Sequence, residues 1–242
     1  MDRISFSGSP LFSEPVPTVS LASKAILTII LLTTFLEGTV FTPPKTKSSK
    51  SFLSFITDQY PNFSTSQADN LVDTYPMEPA ISSYGPWFPS AARAYGEATF
   101  ICPTNNILDA LSNSSSNSPN APLYSYRYNV NTNDGAREGL GVTHASEAPA
   151  VFGPDMMTRP APDTYYTQNA DIVPLVMSYW LSFVRTLDPN VHRLDEAPEW
   201  GVWGRNHSRM VLETRNSSME TVGKSELERC EFWKGMGTTI NQ

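Results

Sequence analysis

Two short stretches hold residue types that could work together as an acid–base pair. Phe35-Leu36-Glu37-Gly38-Thr39 offers a carboxylate, and Gly141-Val142-Thr143-His144-Ala145-Ser146-Glu147 offers an imidazole. A carboxylate beside an imidazole fixes the ring's orientation and stabilises its cationic form, so that the far ring nitrogen can act as a general base. Each residue also has a plainer reading. A lone Glu after a strand is usually a solvated loop residue, and a lone His in a glycine-rich loop is usually structural or merely exposed. Taken alone, the two stretches do not justify an enzyme assignment, although their position draws notice. Each follows a stretch that reads as a strand, and in open α/β sheets ligands bind in the crevice beyond the carboxyl ends of the strands.

Other chemistries find less support. Cys102 and Cys230 are too few for a cysteine zinc site, and His144, His192 and His207 fit no metal spacing, so no metal is expected. The net charge of −7 disfavours nucleic acid as a partner, because a phosphate backbone calls for a basic surface. Sequons at Asn62, Asn113, Asn206 and Asn216 hint at N-glycosylation and a secreted lineage. Met1 is followed by a polar, proline-containing stretch that does not resemble a signal peptide.

The elements that must position Glu37 and His144 follow from pattern. In the 242 residues, 40% are hydrophobic and 17% charged, which is globular composition, and the 20 prolines predict long loops. Residues 1–24 read as irregular. Ala25–Phe35 is β-branched and almost continuously apolar, as a strand covered on both faces would be; it is short for a membrane span, which needs roughly 20 apolar residues. Phe52, Phe55 and Ile56 share one face of a short helix within Lys45–Tyr60. Ser64-x-x-Gln67 is a capping box opening a helix from Thr65 to Thr74. Trp87–Leu111 reads as helical with a break near Cys102-Pro103, and Ser112–Pro122 as an exposed polar loop.

Leu123–Val130 alternates aromatic and polar residues as a second strand, and the glycine-rich loop Asp134–Val142 leads to His144. Asp171–Leu187 has Ile172, Leu175, Val176, Tyr179, Phe183 and Leu187 on one helical face. Pro174 is tolerable there because it falls in the first turn. Met210–Thr214 and Met219–Val222 predict a hairpin, and Ser225-x-x-Glu228 a capping box for a last helix. Helices alternating with strands favour α/β.

On these residues the sequence resembles the type-B carboxylesterase and lipase family, which includes the cholinesterases; its loops are most like those of fungal members. Leu31 to Phe41 (LLTTFLEGTVF) is similar to the segment that carries the triad acid. Gly141 to Gly153 (GVTHASEAPAVFG) is similar to the segment that carries the triad histidine. Tyr179-Trp180 with Phe183, Asp188-Pro189-Asn190 and Pro198-Glu199-Trp200 also match, in family order. The resemblance implies a partial α/β-hydrolase fold over residues 25–242, with Glu37 as acid and His144 as general base. It implies hydrolysis of a small-molecule carboxylic ester through an acyl-serine, with no cofactor, in a secreted protein. Cys102-Pro103 and Cys230-Glu231-Phe232-Trp233 resemble a cysteine pair that is disulfide-bonded in many members.

The departure from the family is as informative. In this fold the triad runs serine, acid, histidine, with the serine on a G-x-S-x-G elbow. Only Gly135 and Gly139 lie four apart, and Arg137 is between them; an HGGG-type oxyanion loop is also absent. The chain is therefore expected to be the C-terminal part of the domain, inactive by itself, with the N-terminal part as its partner. The rival expectations are a non-catalytic cholinesterase-like interaction protein, a truncated gene product and, disfavoured by its length, a membrane-tethered protein using residues 25–36.

Overall fold

A run of β-branched and aliphatic residues has no polar face to turn to water, so it is stable only inside a sheet covered on both sides. Residues Ile29–Thr34 form the first strand, β1, in the computed structural model, which describes residues 29–34, 37–113 and 122–240. The expected irregular stretch 1–24, the flanks of the first strand and most of the polar loop after residue 113 lie outside the described residues.

Among the described residues the sheet has the order β1-β2-β3-β4, with β2 at Leu123–Tyr128, β3 at Ser208–Leu212 and β4 at Ser218–Thr221. β1 pairs parallel with β2 from Ile29↔Leu123 to Thr34↔Tyr128, and β2 pairs parallel with β3. β3 and β4 form the expected hairpin, antiparallel at the edge. The architecture is α/β, and one core lies between the sheet and helix α7 (Ile172–Thr186). Tyr124, Tyr126, Tyr128, Val176, Tyr179, Trp200 and Met210 are buried together there.

A second core is built by helices. α1 (Ser49–Gln59) buries Phe52, Phe55 and Ile56, the three residues the spacing puts on one face. α2 (Thr65–Thr74) starts at the Ser64–Gln67 box, with Gln67 N–H donating to Ser64 Oγ and Ser64 N–H to Gln67 Oε1. These pack with α3 (Phe88–Gly96), α4 (Cys102–Asn113) and α8 (Lys224–Gly235).

Four local expectations are corrected. No break occurs at Cys102-Pro103: a π-helical turn, Glu97–Ile101, joins α3 to α4. The wide turn ends at Ile101, and Pro103, which has no N–H to give, follows in the first turn of α4. The loop expected at Asp134–Val142 contains a short helix, α5 (Asn133–Glu138), capped by Thr132 and ended by Gly139 at φ 72°. Gly135 is allowed inside it because a Cβ there would meet the Gly141 carbonyl at 2.3 Å. Leu187 is not on the apolar face of α7; it is the left-handed cap beyond the helix, φ 61°, and its side chain is exposed. The last long helix has no Ser225 box, because it begins two residues earlier, at Lys224 with Gly223 as N-cap. Two short helices, α6 (Ala148–Phe152) and α9 (Gly237–Ile240), complete the set.

Cys102, at the start of α4, and Cys230, in α8, form a disulfide with Cα atoms 4.9 Å apart across 128 positions. A cross-link spanning that much chain removes a large share of the unfolded state's freedom. Replacing both cysteines by serine is expected to lower unfolding free energy by about 4–5 kcal/mol. Urea titrations of the two proteins in the absence of reductant check this.

Candidate active site

The acid reaches the site because β1 ends at Thr34 and the chain turns three residues later. Gly38 is the hinge of that turn. Its carbonyl accepts the N–H groups of Phe41 and Thr42 at 3.1 Å and the Thr42 hydroxyl at 2.9 Å. A Cβ on Gly38 would lie 1.9 Å from the Ala92 carbonyl oxygen, and one on Gly96 would lie 2.7 Å from the Gly38 nitrogen. The two glycines let the loop sit directly on the end of α3, and Glu37 is buried there, its side chain 2% exposed.

The base comes from the other core. His144 lies in the turn between α5 and α6, beyond the end of β2. Its Nδ1 is 2.6 Å from Glu37 Oε2, so the structure joins these two residues across 107 positions of sequence. Phe41 and Phe100 flank the imidazole, with ring centroids at 5.3 and 4.7 Å. Phe100 belongs to the π turn, and Cys102 two residues on is fixed by the disulfide. A carboxylate at Nδ1 assigns the ring proton to that nitrogen and leaves Nε2 as the acceptor. His144 remains 35% exposed, and a cavity of about 390 Å³ opens beside it, lined also by Val40, Leu140, Arg159 and Tyr165.

Three participants were not foreseen from sequence. Phe100 reaches His144 only through the π turn. Tyr165 hydrogen-bonds the Ser146 carbonyl beside the histidine. Glu147 is a second carboxylate near the pair, and its Oε2 is buried with no hydrogen-bond partner among the described residues. Burial pushes its carboxyl above the ordinary range, and the negative field of Glu37 adds to the effect. Glu147 stood inside the histidine motif, but only tertiary structure shows that it faces inward.

The remaining candidates fall elsewhere. Cys102 and Cys230 bridge in the helical core. Asn62, Asn206 and Asn216 are exposed, and the side chain of Asn113 lies outside the described residues. Among the described residues no group of His, Cys, Asp and Glu could hold a metal ion, and no helix is long and apolar enough to cross a membrane.

Comparisons with known proteins bear on the family and the fold. The family model described as "Carboxylesterase family" matches residues 28–233. The chain is similar to Secreted lipase 4 of Gibberella zeae, 23% identical over 209 residues, 82% of this chain and 34% of that protein. It is similar to Acetylcholinesterase 1 of Caenorhabditis elegans, 23% identical over 154 residues, 61% of this chain and 24% of that protein. The crystal structure of Aspergillus niger EstA superposes with a TM-score of 0.82 at 33% identity, covering 88% of this chain and 40% of that one. The chain thus spans roughly a quarter to a third of the curated relatives it matches, and its architecture is part of an α/β-hydrolase fold.

Two outcomes are expected. Gly38→Ala must move the acid loop off α3 or distort the helix, costing about 1–3 kcal/mol or more by overpacking, measurable in urea. Glu147→Gln tests the raised carboxyl. A carboxyl whose folded-state pKa is raised binds its proton more tightly when folded, so stability falls as pH climbs from the ordinary 4.5 through the raised value. The variant lacks that loss. Its stability relative to the parent should therefore rise with pH above 4.5, and a flat difference would mean that Glu147 titrates as an ordinary surface acid.

Proposed function

The chain belongs to the carboxylesterase family, and from that premise we propose that Glu37 and His144 are the acid and general base of an ester-hydrolysing triad. The observation that supports this most is the 2.6 Å contact between Glu37 Oε2 and His144 Nδ1, with the acid buried and the ring partly open beside a cavity. In this reading a serine hydroxyl attacks the ester carbonyl while His144 Nε2 takes its proton. The imidazolium, held by Glu37, returns that proton to the leaving alcohol. Water then attacks the acyl-serine, with His144 again as base, and the acid product leaves. Small-molecule carboxylic esters are the substrate class, and the residues need no cofactor for these steps.

The serine is the part these 242 residues do not supply, since they hold neither a G-x-S-x-G elbow nor an HGGG loop. We propose that the chain alone is inactive and that its partner is the N-terminal part of the same domain. The disulfide and the exposed sequons at Asn62, Asn206 and Asn216 fit a glycosylated protein of an oxidising, extracellular compartment. The similarity to a protein named a secreted lipase points the same way. The lack of an elbow also favours a second reading, a non-catalytic interaction protein of cholinesterase type.

The chain is to be assayed with a short-chain p-nitrophenyl ester and a fluorophosphonate probe, first alone and then co-expressed with the N-terminal part of a close homologue. The expected result is no turnover alone, activity on co-expression, and a loss of roughly a millionfold in the co-expressed His144→Ala variant. Probe labelling of the chain alone, dependent on His144, would mean that it has a nucleophile of its own. Silence in both arms would favour the non-catalytic reading.

A further inference from the structure

We propose that Tyr165, backed by Tyr128, is a positioning residue whose hydroxyl holds the His144 turn in the conformation that aims the imidazole at Glu37. The turn needs holding. Ala145, directly after the histidine, has φ 62°, a left-handed conformation that costs a non-glycine residue roughly 1–2 kcal/mol. Its side chain is exposed, so packing does not enforce the strain. Inside the turn, Ser146 N–H and Ser146 Oγ both donate to the Thr143 carbonyl, at 3.2 and 2.7 Å. Those bonds close the turn on itself but do not set its place in the fold.

That place is set from outside. Tyr165, in the short 3₁₀ segment Asp163–Tyr166, donates its hydroxyl proton to the Ser146 carbonyl at 2.5 Å, nineteen positions away. Its oxygen lies 2.8 Å from the Tyr128 hydroxyl. A phenol has one proton, and that of Tyr165 is committed to Ser146, so Tyr128 must donate to Tyr165. The order is Tyr128 to Tyr165 to Ser146, and donation into the Tyr165 oxygen strengthens its own donation. Both rings are buried, Tyr128 at 0% and Tyr165 at 2% exposure. Burial raises both phenols, Tyr165 to about 12, which keeps the protons in place throughout the neutral range.

The relay starts from a fixed point. Tyr128 is the last residue of β2 and is the register partner of Thr34, the last residue of β1. The acid loop leaves the sheet at Thr34. Histidine and acid are thus both referenced to one rung of the sheet, the first through two phenols and the second through the chain itself.

The functional meaning of this relay rests on the acid–base reading above, but its test does not. The Nδ1 proton of His144, bonded to a carboxylate, gives a low-field proton NMR signal whose exchange with solvent reports how firmly the ring is held. In Tyr165→Phe, which keeps the ring and removes the hydroxyl, that proton is expected to exchange roughly three- to tenfold faster, the ratio for one lost hydrogen bond. Tyr128→Phe should give a smaller change of the same sign, about twofold, because only the polarising bond is lost. Tyr166→Phe, at an exposed neighbour bonded to Asp155, should give none.

A merely structural role would lower the melting temperature and leave the His144 proton unmoved, and that pattern in a folded Tyr165→Phe protein overturns the proposal. So does the absence of the low-field signal in the parent chain. If Tyr165→Phe does not fold, an unchanged exchange rate in Tyr128→Phe overturns it. Faster exchange in a protein that never hydrolyses esters, even when co-expressed, keeps the relay and removes the esterase reading; unchanged exchange with esterase activity does the reverse.

Discussion

Parallel pairing of β1 with β2 sends two strands off the same end of the sheet, and the register decides how level their ends are. Here the last rung is Thr34↔Tyr128. Glu37 follows three residues after the first, His144 sixteen residues after the second, and they meet at 2.6 Å. A two-residue slip would move one exit by about 7 Å relative to the other, more than a hydrogen bond spans. A one-residue slip would turn the buried tyrosines of β2 to the opposite face. The register is held from both sides of β2, because Tyr128 also pairs with Leu212 of β3.

Electrostatics reinforces that constraint. A buried carboxylate is costly unless it is paired, and Glu37 faces an imidazole able to carry the opposite charge. Away from the site, the buried charges Arg209 and Glu97 are matched among the described residues. Arg209, 5% exposed, binds Glu226 through two nitrogens and Glu220 through a third. Arg127 completes the group, and although burial opposes it, the two guanidiniums hold Glu220 below the ordinary carboxylate range. Arg229 grips Glu97 in the π turn in the same two-pronged way. Glu147 is the contrast: its carboxyl is raised and one oxygen has no partner among the described residues. The ion pairs of the frame are matched, whereas the carboxyl beside the histidine is perturbed.

Much of the frame was legible because it rests on short-range rules. Phe52, Phe55 and Ile56 recur at helical spacing, Ser64 and Gln67 stand three apart, and a polar turn separates the two strands of the terminal hairpin. Each signal is contained within a few residues. The parts that were not legible depend on distant atoms. Gly135 looks like loop glycine until Gly141 is seen folding back on it. The π turn is a register shift with no motif of its own, and Pro103 reads equally well as a break. Gly223 starts the last helix although the neighbouring Ser225 carries the better capping signature. The pairing of Glu37 with His144 came from the family resemblance, since neither residue's local sequence points to the other.

The two cores meet at that pair. Gly38 rests on Ala92 and Gly96 of α3, a helix of the disulfide-linked helical core, so the acid moves with that core. The imidazole turn hangs from Tyr165 and Tyr128, which are buried members of the sheet-side core. The Glu37–His144 bond therefore links the two cores. Phe41 and Phe100 close the seam: both touch the imidazole, and both touch Tyr95 of α3, at 5.6 and 6.4 Å. Apolar rings on two sides of the imidazole keep water from competing for the carboxylate and strengthen the bond they surround. The π turn matters here because it presents Phe100 to the imidazole, and the disulfide ties the chain to α8 two residues later. A link that lies in the helical core thus bears on the histidine through one aromatic ring.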